Sequence, residues 1–85
     1  MYKISYSKEA DKTLQRMPRN IAKLIREKLK VIAASPYADH PNATKLQGRE
    51  GYRLRVGDWR VIYKIKNEQL VIIVMKVASR GEVYR

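Results

Sequence analysis

Hydrophobic positions change their period twice along this chain. Tyr2, Ile4 and Tyr6 alternate with Lys3 and Ser5, the pattern of a short strand with one face buried. From Ala10 the period lengthens, and Ala10, Leu14 and Met17 fall on one side of a helix. Ser7 stands where an N-cap belongs, and Glu9 and Asp11 occupy the first turn, where unpaired backbone N–H groups favour negative charge. Pro18 ends this helix and starts the next, because a proline is tolerated in a first helical turn but not in an interior. The second helix carries the stripe Ile21, Leu24, Ile25, Leu29 and Ile32, with Lys23, Arg26 and Lys30 among its other positions. Ser35-Pro36 closes it. With so little chain between them, the helices are expected to form an antiparallel hairpin.

Residues 36–51 read as loop, punctuated by Pro36, Pro41, Asn42, Gly48 and Gly51, with Lys45-Leu46 starting a strand or forming a bridge. The period then shortens to that of strands. Tyr52 to Val56 alternates, Gly57-Asp58 suits a two-residue type II′ turn, and Trp59 to Lys66 alternates again. Asn67-Glu68 is the next turn, and residues 69–77 make the last strand. Its unbroken apolar run, residues 70–75, predicts a central strand or one covered on both faces. The expected fold is α+β: an N-terminal strand, a helical hairpin, then a three-stranded antiparallel meander with the helices on one sheet face. The first strand is expected beside the last. No internal repeat or second-domain boundary is visible, so residues 1–85 read as one domain.

The two-residue turn fixes which side chains share a face. It sets Val56 opposite Trp59, Arg55 opposite Arg60, Leu54 opposite Val61 and Arg53 opposite Ile62, and directly opposed residues point the same way. Tyr52, Leu54, Val56, Trp59, Val61 and Tyr63 then form an apolar face toward the helices. Arg53, Arg55, Arg60 and Lys64 share the other. Like charges opposed across strands are destabilising. A phosphate would relieve the repulsion through charge-assisted, often bidentate hydrogen bonds. The plainer reading is a solvated strand face whose aliphatic stems cover Ile62.

Charge strengthens the first reading. The 85 residues hold 19 Lys and Arg against 8 Asp and Glu, a formal net charge of +11. Such a balance suits a polyanion, with nucleic acid first and an acidic protein second, since the self-repulsion works against folding. A chain this short buries only about 60% of its unfolded surface, so its core is thin. Cysteine is absent, which removes disulfides and thiolate metal sites and suits a reducing cytoplasm. No His, Asp and Glu constellation suggests a metal, and no cofactor is expected. His40, the sole histidine, sits in a Pro-rich loop and reads as a surface residue. The N-terminus lacks the apolar stretch of a signal peptide, and residues 70–75 fall far short of the roughly 20 needed to span a bilayer. A soluble cytoplasmic protein is expected.

The tail Ser79-Arg80-Gly81-Glu82-Val83-Tyr84-Arg85 follows the last strand directly. If it curls over the basic face, Arg80 and Tyr84 join the arginine cluster, and a tyrosine there can stack on a base or act through its hydroxyl. Otherwise it is a frayed terminus.

The chain resembles the RelE/ParE toxin superfamily. The resemblance rests on the strand and helical hairpin, on Lys45-Leu46, on Tyr52-Arg53-Leu54-Arg55-Val56-Gly57-Asp58-Trp59-Arg60-Val61-Ile62-Tyr63, and on the ending Arg80-Gly81-Glu82-Val83-Tyr84. It covers essentially the whole chain. The ending, with Arg and Tyr four apart, is similar to the ribonuclease branch. The resemblance implies a toxin of a type II toxin–antitoxin system that cleaves mRNA in the ribosomal A site without metal, by attack of a ribose 2′-hydroxyl on the adjacent phosphate. It implies catalytic roles for Arg53, Arg55, Arg60, Arg80 and Tyr84, with Lys45, Arg49 and Lys64 as further RNA contacts. It also implies a cognate acidic antitoxin that folds on binding, and a toxin that is monomeric alone. RelE-like enzymes often carry lysine on the first hairpin strand, where this chain has Arg53 and Arg55. An arginine does not serve as a base, so Tyr84, Glu82 or a ribosomal RNA group is left for that part. Two other functions fit the same charge: a ParE-like toxin that poisons DNA gyrase, and a non-catalytic nucleic-acid-binding module with steep salt dependence.

Overall fold

The computed structural model describes residues 1–79. Strand β1 spans Lys3–Tyr6, helix α1 Lys8–Arg16 and helix α2 Arg19–Ala34. Strands β2 Ala43–Lys45, β3 Tyr52–Val56, β4 Trp59–Lys66 and β5 Val71–Ser79 follow, with one 3-10 turn at Asn67–Gln69. The strands form one sheet in the order β1-β5-β4-β3-β2. The β1–β5 pair is parallel and the other pairs are antiparallel. The expected α+β architecture is present, with β1 beside β5 and β5 in the sheet interior. The meander gains a short edge strand, β2, which ends at Lys45, where the sequence suggested a strand start or a bridge.

Ser7 joins the first strand to the first helix. Its Oγ accepts from the Ala10 N–H at 3.0 Å, capping α1, and donates to the Met75 carbonyl at 2.8 Å. The Ser7 N–H donates to the Val74 carbonyl at 2.9 Å. These bonds fall at a bulge: Ile62 pairs with Lys76 and Tyr63 with Val74, so Met75 is the extra residue. Its carbonyl finds the Ser7 hydroxyl.

The core lies between the helices and one sheet face. Ala10, Leu14 and Met17 of the first helical segment are buried there, as are Leu54, Val56, Val61, Tyr63, Ile72, Val74 and Val77 of the sheet. The α2 stripe differs from expectation at one place. Leu24 is 40% exposed, while Ala22, Ile25, Leu29, Ile32 and Ala33 are buried. A helix turns about 100° per residue, so Leu24 points about 100° away from Ile25. The buried face extends to the opposite side, where Ala22 and Ala33 lie.

The last strand starts at Val71 rather than residue 69, because Leu70 takes the left-handed conformation (φ 54°) that closes the 3-10 turn. No helix among the described residues is long and apolar enough to cross a membrane.

Candidate nucleic-acid interface

The β3–β4 hairpin carries the site. Gly57 takes φ 58° while Asp58 stays out of the positive region, which makes the turn type II′. The register is the one the turn predicts: Val56 with Trp59, Arg55 with Arg60, Leu54 with Val61 and Arg53 with Ile62. Tyr52, Leu54, Val61 and Tyr63 therefore belong to the helix side. Arg53, Arg55, Arg60 and Lys64 share the opposite side.

Arg60 is the most constrained of these cations. It is only 8% exposed, and its Nη1 donates to the carbonyls of Gly57 at 3.2 Å and Trp59 at 3.1 Å. The turn carbonyls thus fix the guanidinium over the end of the hairpin. Its cross-strand neighbour on β5 is Ala78. Ala78 and Ile62 are buried on this face with Leu46 against them, forming a small apolar floor beneath the arginines. Ile62 is buried, and Arg53, Arg55, Arg60 and Lys64 share its face. A charge held over an apolar floor is screened less than one in open water.

Arg55 is exposed and tied to the β2 edge. Its backbone N–H donates to the Asn42 carbonyl at 2.9 Å, and its Nη2 reaches Asn42 Oδ1 at 3.3 Å. Asn42 adopts φ 66°, a conformation that asparagine tolerates better than most residues. The Pro41-Asn42 pair marked a turn in the sequence, but nothing there marked Asn42 as the partner of Arg55. Arg53 is half-buried on the same side.

The remaining expected contacts divide. Arg49 and Arg53 line one depression of about 480 Å³ with Thr44, Lys45, Leu46 and Gln47. Lys64 follows Ile62 by two residues and stays with the arginines. Lys45 pairs with Tyr52, which sets it on the helix side at the sheet edge. The sequence had grouped Lys45 with the RNA contacts; the register does not bring it onto the arginine face. Arg80 and Tyr84 lie outside the described residues. His40 keeps its structural reading: its Nε2 is 2.7 Å from the Ser35 carbonyl, closing the loop after α2.

Gly51 holds the approach to β3. At φ 121° it adopts a backbone that L residues rarely take, and a Cβ there would meet the Tyr63 carbonyl at 3.2 Å and Leu46 Cδ1 at 3.4 Å. On the helix side, Tyr52 and Tyr63 stack with centroids 5.3 Å apart and an interplanar angle of 12°. Burial, then the neighbouring Tyr52, pushes the Tyr63 hydroxyl pKa up to about 12. Burial likewise raises Tyr6, against the opposing pull of Arg26, whose guanidinium lies 5.1 Å from the ring centroid.

The arginine face can bind phosphates and stabilise charge that builds on them. Its guanidinium groups offer N–H donors but stay protonated, so none of them can act as a general base.

Known proteins share this fold. The family described as the ParE toxin of the type II toxin–antitoxin system, parDE, matches residues 4–84. A RelE-like toxin protein of Escherichia coli is 30% identical over 82 residues, covering 93% of this chain and 83% of its own length. The isolated E. coli RelE toxin superposes with a TM-score of 0.81 at 25% identity, covering 99% of this chain and 92% of that one. An archaeal RelE–RelB complex from Pyrococcus horikoshii gives 0.80 at 30% identity, covering 94% and 96%. The family match runs almost end to end and the relatives share the whole fold, so this chain belongs to the ParE toxin family of type II toxin–antitoxin systems and is RelE-like within it.

Proposed function

We propose that this toxin is an endoribonuclease that cuts mRNA in the ribosomal A site and so stops translation. The observation that carries the reading is the opposed Arg55–Arg60 pair, with the Arg60 guanidinium held in place by turn carbonyls. Such a pair weakens the hairpin unless an anion joins it, and a fixed cation needs no reorganisation when charge develops.

The reaction forms a bond from the ribose 2′-oxygen to phosphorus and breaks the bond to the 5′-oxygen. The 2′-hydroxyl proton leaves, the 5′-oxygen gains a proton, and a 2′,3′-cyclic phosphate results. Arg60 neutralises charge on the phosphoryl oxygens, and one such donor is typically worth about 100- to 1000-fold in rate. Arg55 and Arg53 hold neighbouring phosphates and help to stabilise the transition state. Arg80 serves the leaving oxygen, and Tyr84 orients a base or moves a proton. Lys64 and Arg49 extend the phosphate track. Translating ribosomes as the target imply a cytoplasmic protein.

A cognate antitoxin completes the reading, as RelB does for the P. horikoshii relative. An acidic amphipathic segment suits a chain of net charge +11 and covers the arginine face when bound. A complex with Arg55 and Arg60 still accessible would argue against direct masking.

The test is primer extension on mRNA translated by purified ribosomes, with wild type, Arg60→Ala and Tyr84→Phe. New stops at A-site codons that fade in the variants support the reading. The matching family carries the ParE name, which favours gyrase poisoning as the second reading. Folded protein that leaves mRNA intact but traps gyrase on cut DNA moves the assignment there.

A further inference from the structure

A second set of polar and aromatic side chains lies around the β2 edge from the arginine face. Tyr37 and Tyr52 together line two adjoining depressions on the helix side, one of about 220 Å³ that reaches Asp39 and His40, and one of about 510 Å³ that reaches Arg49 and Glu50. Lys45 lines both. Lys45 and Arg49 also line the depression that holds Arg53. Lys45 and Arg49 therefore link the arginine face, over the short edge strand, to the tyrosine-lined groove, where Glu50 is paired with Lys66 at 4.0 Å.

We propose that an unpaired RNA nucleotide, flanking the stretch held by the arginine face, crosses the β2 edge and stacks its base between Tyr37 and Tyr52. The inference rests on the RNA-cutting reading and extends it to a second contact. Three observations favour a nucleotide. Tyr37 is 61% exposed, so its ring is open to a stacking partner. Tyr52 is already held by its stack on Tyr63, so its ring loses little freedom when another ring joins. The charges also suit a nucleotide: Lys45 and Arg49 line the side nearest the arginine face, where a backbone passes, and Asp39, which lines the first depression, offers a base edge an acceptor. A cationic track interrupted by aromatic platforms is how proteins hold single strands without reading their sequence. Lys45, which the register takes off the arginine face, gains its role here.

The test uses fluorescent, uncleavable 2′-O-methyl oligouridines of 3 and 10 nucleotides and binding by anisotropy. Tyr37 is exposed, so Tyr37→Ala leaves the fold intact. It should weaken the 10-mer by at least about 5-fold, leave the 3-mer unchanged, and be rescued by Tyr37→Phe. Lys45→Gln should flatten the slope of log affinity against log salt by about 0.7 for the 10-mer alone, one phosphate contact on a single strand. Wild-type affinity of Tyr37→Ala for the 10-mer overturns the inference, as does a protein that binds neither oligonucleotide. The ribosome assay with Arg60→Ala is independent of Tyr37, so failure of the groove and failure of the cutting reading are separable.

Discussion

Neutralising Arg55 should make this protein more stable and much less active. Arg55 and Arg60 are directly opposed in the hairpin register, and opposed like charges cost roughly 0.2–1 kcal/mol. The net charge of +11 adds a diffuse repulsion of the same sign. Little favourable interaction opposes this: Arg55 is exposed, and its side-chain bond to Asn42 Oδ1 is 3.3 Å long. Arg55→Gln should therefore gain about 0.5 kcal/mol, and Arg55→Glu, which turns repulsion into attraction, about twice that. In a domain of this size 1 kcal/mol moves Tm by about 4–8 °C, so the glutamine variant should melt about 2–4 °C higher. The gain should shrink in roughly 1 M salt, where screening acts over about 3 Å. Melts by circular dichroism at low and high salt, beside the ribosome assay, measure both halves. Cleavage should fall by about 100-fold or more. A glutamine variant that melts no higher at low salt refutes the argument. So does a gain that salt leaves untouched, since strand propensity rather than charge would then explain it.

Other substitutions test the scaffold. Leu29→Ala empties a fully buried position of α2 and should cost about 2–5 kcal/mol in urea unfolding. Ser7→Ala removes both the cap bond to Ala10 and the bond to the bulge carbonyl of Met75, and should cost about 1–2 kcal/mol by the same measurement. Tyr63 carries a pH signature. Its folded pKa is raised to about 12 from an ordinary value near 10, so above pH 10 the unfolded chain releases the proton first and the folded state loses stability. Urea melts of wild type and Tyr63→Phe at pH 8 and 10.5 should show the wild type losing more between the two; equal losses contradict the assignment.

The sequence carried much of this fold because turn chemistry fixes register. Gly57-Asp58 admits a two-residue turn, and that turn alone sets Arg55 against Arg60 and sends Leu54, Val61 and Tyr63 inward. The capping role of Ser7 was legible for the same local reason. What depends on contacts distant in sequence was not. Within an unbroken apolar run no position stands out, so the bulge at Met75 left no mark; it exists because the Ser7 hydroxyl accommodates the freed carbonyl. The side of Lys45 depends on where three-residue β2 joins β3, which the loop sequence does not specify. Leu24 matched the helical stripe, yet the buried face of α2 is centred toward Ala22 and Ala33, and alanines do not stand out in a hydrophobic pattern. The chemistry of the face was legible as charge. The link from Asn42 to Arg55 and the carbonyl clamp on Arg60 appear only in three dimensions.

The central claim is that the arginine face promotes attack by a ribose 2′-hydroxyl. The most direct measurement is single-turnover cutting of ribosome-bound mRNA with one 2′-deoxy nucleotide placed 5′ to the scissile phosphate. The account predicts that the wild type cuts the all-ribose message, leaving a 2′,3′-cyclic phosphate and a 5′-hydroxyl, and fails at the deoxy position. Undiminished cutting at the deoxy position would contradict it.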